Sequence, residues 1–161
     1  VVTAKELGFT EPDPRDDLSG VDVARKAIII ARELGLDFEM SDIGLEGMVP
    51  KEFMEISSIE EFMSRLPELD DVFSEKTREA SEKGNVLRFM VQIKQKKVEV
   101  GLKEVSKDSA IGQLDGPDNM IIYKSRRYFD YPLVIRGPGA GAEVTAAGVY
   151  SDLLKIVRRV G

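Results

Sequence analysis

The stretch from Glu11 to Lys26 gathers five carboxylates, Glu11, Asp13, Asp16, Asp17 and Asp22, and ends on a lysine, all within 16 residues. Carboxylates this close suit a cationic ligand group such as an α-ammonium, and a lysine at their edge suits proton transfer. Asp22 and Lys26 stand four residues apart and so share a helix face. That spacing fits a surface ion pair as well, and Asp22 also stands three residues after Ser19, the spacing of a capping box. The surroundings lean toward chemistry. Lys26 lies where the helix turns apolar on nearly every side, at Ile28-Ile29-Ile30, so its ammonium is expected to be partly desolvated, the condition that tunes a lysine for proton transfer.

A second candidate is the strand, glycine loop and helix start over 134–145, Val-Ile-Arg-Gly-Pro-Gly-Ala-Gly-Ala-Glu-Val-Thr. Glycines let a backbone approach a ligand closely, and a helix N-terminus offers free N–H groups. The segment is not a dinucleotide fingerprint: counted from Gly139 the third glycine of G-x-G-x-x-G falls on Val144, and counted from Gly137 it falls on Ala142. A tight strand-to-helix turn and a ligand-facing loop both remain open on these residues. A third feature is the outer face of a hairpin, Arg88, Gln92, Lys94, Glu99 and Lys103. It is ordinary for a solvated sheet, though Met90 and Gly101 leave room for a partner.

The elements that must position these groups follow from periodicity. A helix end over Val2 to Leu7 stops at Gly8 and leads into a loop over Gly8 to Asp17. A helix runs from Leu18 to Leu34, ending at Gly35. Met40 to Ile43 reads as a short strand, Val49-Pro50 as a turn, and Ser58 to Leu66 and Asp71 to Lys83 as surface helices. Leu87, Phe89, Val91 and Ile93 alternate with polar neighbours, as do Val98, Val100 and Leu102, which predicts an antiparallel hairpin with one buried face. Asn119 to Tyr123 and Pro132 to Ile135 add two strands, and Val144 to Val160 a closing amphipathic helix. The fold class is therefore α+β: a mixed or antiparallel sheet of about four or five strands with helices packed on it, in one domain over 1–161.

Composition narrows the chemistry. The 161 residues carry 23 Lys+Arg against 29 Asp+Glu, a net charge of −6, and 42% apolar residues, which suits one folded domain and gives no basic footprint for nucleic acid. Without His or Cys there is no serine–histidine triad, disulfide framework or usual zinc ligand, and no metal site is assigned. No run reaches the roughly 20 apolar residues of a membrane span, and no signal peptide is visible, so a cytoplasmic location is expected. The first residue is Val1, not Met, which suggests a piece of something longer.

From Ala4 through Gly8-Phe9-Thr10-Glu11-Pro12-Asp13-Pro14-Arg15-Asp16-Asp17-Leu18-Ser19-Gly20-Val21-Asp22 to Lys26 the sequence resembles the homoserine dehydrogenase signature at every fixed position. Ser41-Asp42-Ile43, Val49-Pro50, Val86 to Phe89 and Gly137 to Gly148 also resemble that family, in order. The closing segment is most similar to versions fused behind an aspartate kinase or to the short fungal type, and disfavours those with a trailing ACT domain. The resemblance implies the substrate-binding and dimer-forming domain of an NAD(P)-dependent oxidoreductase, similar to the second domain of dihydrodipicolinate reductase. That enzyme would interconvert L-homoserine and L-aspartate 4-semialdehyde on the route to threonine, methionine and isoleucine. It places the proton-transferring lysine on Lys26, the substrate-holding carboxylates on Glu11, Asp22 and Asp17, and backbone contacts to the nicotinamide side of the cofactor on Gly8 and Gly141. It also implies a homodimer, with residues 1–8 and 139–161 packing against a Rossmann domain that lies outside this chain. That domain would hold most of the NAD(P), so the fragment alone is expected to be inactive. The alternative from another class is a non-catalytic amino-acid-binding or dimerisation module.

Overall fold

A computed structural model describes residues 1–6, 10–116, 118–139 and 141–160, and these fall into two compact units, Val1–Lys107 and Asp108–Gly161. The first opens with helix α1 (Val2–Glu6) and helix α2 (Pro14–Ser19). The loop expected over Gly8 to Asp17 is thus corrected from Pro14 onward. Asp13 caps α2 by accepting from the Arg15 N–H, Pro14 occupies the first turn where its missing N–H costs nothing, and Gly20 closes the helix at φ 75°. The longer helix therefore begins at Val21, not Leu18: α3 is Val21–Glu33.

On α3 the residues Ala24, Ala27, Ile28 and Ala31 recur at helical spacing and are buried against Ile43, Val98 and Val100. Three alanines in that stripe bring the helix close to the sheet. The all-round burial expected of Ile28-Ile29-Ile30 is not found: Ile28 faces the core, while Ile29 points outward and is 64% exposed. An uninterrupted apolar run hides which of its faces is inward.

Met40–Asp42 is a 3₁₀ turn, and the strand begins one step later, as β1 (Ile43–Leu45). After helices α4 (Lys51–Met54), α5 (Ile59–Arg65) and α6 (Asp70–Glu82) come strands β2 (Asn85–Lys94) and β3 (Lys97–Ser106). The hairpin is antiparallel as expected. Val91 stands opposite Val100 and Ile93 opposite Val98, so one face is apolar and turned to α3. β1 adds to the far side of β3 in parallel, giving the order β1-β3-β2. A separate small core of Phe53, Ile56 and Phe62 holds α4 and α5 together, with Leu18 of α2 packed on it.

The second unit pairs β4 (Asp118–Tyr123) antiparallel with β5 (Leu133–Pro138) and ends in α7 (Ala142–Val160). Arg136 of β5 bonds Asp118 of β4 at 2.8 Å. Among the described residues there are five strands, which roughly fits the expected count, but in place of the one sheet expected they form a three-stranded and a two-stranded sheet. Within its own unit α7 buries none of its side chains.

Candidate functional site

Lys26 and Asp22 meet on the outward face of α3, with Nζ 2.8 Å from Oδ2. Their side chains are 58% and 63% exposed, so the desolvation expected for the Lys26 ammonium is absent in this chain. The cause is rotational: the inward stripe runs through 24, 27, 28 and 31, which turns 22 and 26 to the opposite side. The capping box considered for Ser19 and Asp22 does not form either. Gly20 is the N-cap, without a side-chain bond; Ser19 Oγ donates to the Asp16 carbonyl and accepts from the Val21 N–H, and the Asp22 carboxylate goes to Lys26.

Glu11 and Asp17 are brought together differently. The Glu11 backbone N–H donates to Asp17 Oδ2 at 2.9 Å, which folds the acidic segment back onto α2. Both side chains are exposed. Glu11, Asp17, Asp22 and Lys26 are therefore carried on one continuous run: loop, α2, Gly20, α3. Gly20 is the joint of that run. Its φ of 75° favours glycine, and a Cβ there would stand 2.7 Å from Cζ of Phe89 on β2. The site run is thus seated directly on the hairpin's apolar face.

Two contributors went unnoticed in the sequence. Arg15 sits in the first turn of α2, where a cation opposes the helix dipole, and that contradiction is the signal that marks it. Its guanidinium forks onto Asp13, with Nε 2.9 Å and 3.0 Å from the two carboxylate oxygens. It also donates to the Ile56 carbonyl and lies 5.7 Å from the centre of the Phe62 ring. The guanidinium beside it holds the Asp13 carboxyl below the ordinary carboxylate range. The other is Thr10, next to Glu11, whose buried hydroxyl oxygen has no hydrogen-bond partner among the described residues.

Gly8 lies outside the described residues. Gly141 belongs to the second unit, at the start of α7. It has φ 124° and open space where a side chain would stand, and its carbonyl accepts from the Thr145 N–H at 3.0 Å. Close by in sequence, Gly139 is packed against the Asn119 side chain, so a larger residue there would collide with it. Two hollows of the first unit are not lined by Glu11, Asp17 or Asp22: an apolar groove of about 330 Å³ among Val1, Val2, Leu18, Val49, Leu66 and Phe73, and an open depression along α6. Among the described residues no acidic cluster is arranged to hold a metal ion. The arrangement can present carboxylates to a cation and a lysine ammonium to an oxygen, from an open surface.

Comparison with known proteins agrees with the signature. The family model described as homoserine dehydrogenase matches residues 1–154. The whole chain is 48% identical, over 163 aligned residues, to the bifunctional aspartokinase/homoserine dehydrogenase 1 of Arabidopsis thaliana, of which it covers 18%. It is 47% identical to the homoserine dehydrogenase of Emericella nidulans, matching 99% of this chain and 45% of that enzyme. A crystal structure of a Candida auris protein of unknown function superposes with a TM-score of 0.91 at 41% identity, covering 97% of this chain and 44% of that one. The chain thus spans less than half the length of each of these proteins.

Proposed function

Since the chain belongs to the homoserine dehydrogenase family, we propose that it supplies the substrate-binding and proton-transfer half of an enzyme interconverting L-homoserine and L-aspartate 4-semialdehyde with NAD(P). That reaction feeds threonine and methionine formation. In this reading Glu11, Asp17 and Asp22 hold the substrate α-ammonium, and Lys26 gives a proton to, or takes one from, the oxygen on the reacting carbon. The observation that carries it is the Lys26–Asp22 pair at 2.8 Å, on the helix that continues directly from the acidic segment.

Open space and a positive φ at Gly141 fit a backbone contact to the nicotinamide side of the cofactor, with Gly8 in the same role. When bound, the nicotinamide supplies or accepts the hydride. The chain's own task is to fix the substrate's amino-acid end and to manage the hydroxyl proton. Lys26 is open in this chain, so exclusion of water from it falls to the remainder of the enzyme. The same reading makes residues 1–8 and 139–161 the ends that pack on a nucleotide-binding domain, the enzyme a homodimer, and its location cytoplasmic.

The test joins this chain to its native nucleotide-binding domain and follows nicotinamide reduction on adding homoserine and NADP⁺ or NAD⁺. Absence of any homoserine-dependent signal sinks the proposal. In that enzyme Lys26→Ala is expected to lower kcat by about 10²–10⁴-fold with KM moved less. A near-normal kcat would return Lys26 to an ordinary surface pair.

A further inference from the structure

Building on that assignment of Glu11 and Asp17, we propose that Arg15 is a positioning residue for the substrate: it anchors the acidic run to the Phe53–Ile56–Phe62 core and thereby sets where Glu11 stands. The connections are continuous. Arg15 reaches across the fold to the carbonyl of Ile56, 41 positions away in the chain, and lies over the ring of Phe62, which is fully buried. The same guanidinium forks onto Asp13, whose carboxylate also caps α2. One turn further on, Asp17 of that helix accepts the Glu11 N–H at 2.9 Å. Each bond in the series fixes the next, from core to Arg15, to Asp13 and α2, to Asp17, to Glu11.

Several facts say that this is more than a surface ion pair. The Arg15 and Asp13 side chains are only 16% and 28% exposed, while seven other ion pairs of the first unit, Lys26–Asp22 and Lys83–Glu104 among them, each contain at least one side chain more than half exposed. Arg15 uses three of its faces at once: the fork on a carboxylate, an N–H on a carbonyl and its plane near an aromatic ring. Lysine offers none of that fork geometry. The cation also stands in the first turn of a helix, where charge alone disfavours it. A residue that is unfavourable for its own helix and saturated by contacts outside it is placed for the outside contacts.

The experiment compares Arg15→Gln, Arg15→Lys and Asp13→Asn in the enzyme that carries this chain. Expected for Arg15→Gln is a rise in the homoserine KM of about tenfold or more, because a displaced carboxylate binds the ammonium poorly, with the nicotinamide-cofactor KM unchanged and kcat lowered less than the homoserine KM rises. Arg15→Lys is expected to recover little of the loss, and Asp13→Asn to shift the homoserine KM in the same direction. A readout independent of turnover is hydrogen exchange at the Glu11 amide, expected to speed up about tenfold in Arg15→Gln, while amides of α3 keep their protection.

An unchanged homoserine KM in a folded Arg15→Gln enzyme, or full rescue by lysine, overturns the proposal. If Arg15→Gln fails to fold, Asp13→Asn decides: an unchanged homoserine KM and unchanged exchange at the Glu11 amide in that variant overturn the proposal. Should the unmodified enzyme show no activity with homoserine, the assignment of function fails, and exchange at Glu11 still reports whether Arg15 anchors the loop.

Discussion

The two units handle their apolar side chains in opposite ways. In the first, α3 and the hairpin close on each other: Ala24, Ala27, Ala31, Val98 and Val100 are lost to solvent almost entirely, and a second cluster around Phe62 does the same for α4 and α5. In the second, α7 leaves Val149, Tyr150, Leu153, Ile156, Val157 and Val160 more than half exposed, and Ile135 of β5 is also about half open. Within its own unit α7 leaves that apolar surface uncovered, a patch of the kind that marks an interaction surface. The acidic run and Lys26 belong to the self-sufficient unit, and Gly141 to the dependent one. Fixing the carboxylates is accomplished within the first unit; the second unit by itself does not bury the apolar face of α7.

That contrast is open to attack by substitution. The largest effect is expected at Phe62: Phe62→Ala should destabilise the chain by about 3–5 kcal/mol in a denaturant titration, whereas Leu153→Ala on α7 should change stability by no more than about 0.5 kcal/mol. Comparable losses at both positions would mean that α7 is already packed in the isolated chain. If α7 packs on the nucleotide-binding domain as proposed, joining that domain should narrow the difference by making Leu153→Ala costly.

Gly20→Ala comes next. The left-handed backbone costs roughly 1–2 kcal/mol for a residue with a Cβ, and the contact with Phe89 adds to it. The melting temperature should fall, and a second variant with Phe89 shortened to leucine should recover part of the loss.

The smallest effect concerns pH. Arg15 lowers the Asp13 pKa in the folded chain, so the stabilisation is present above the unfolded carboxylate value of about 3.9 and is lost as pH falls through the lower, folded value. Asp13→Asn should therefore melt below the parent at pH 6, with the gap narrowing under acidic conditions below about pH 4. A constant gap would assign Asp13 to shape alone.

Most of the framework was legible where the sequence repeats a physical pattern. Alternation placed the hairpin and its inward face, the helix expected over Ser58 to Leu66 is found as α5, and the run from Ala4 to Lys26 pointed to the family before any geometry was known. What stayed hidden depends on contacts distant in the chain. α2 has six residues, most of them polar, and no apolar period; it is held by a cap, a proline and Arg15's reach to Ile56. The exposure of Lys26 followed from which side of α3 meets the sheet, and an isoleucine run conceals that choice. β1 pairs in parallel with β3 across more than fifty residues, a pairing that no local signal announces.

Gly20 also sets a mechanical tolerance. Lys26 lies six residues beyond it along α3, about 9 Å of helix rise, so a rotation of about 10° at that joint would swing the ammonium by about 1.6 Å relative to Glu11. A displacement of about 1 Å is enough to cost on the order of a hundredfold in rate when reacting groups must meet. Phe89, pressed against the glycine from behind, works as the stop on that lever. In the proposed enzyme the alignment of acid loop and lysine would thus depend on an aromatic ring on the hairpin, behind Gly20.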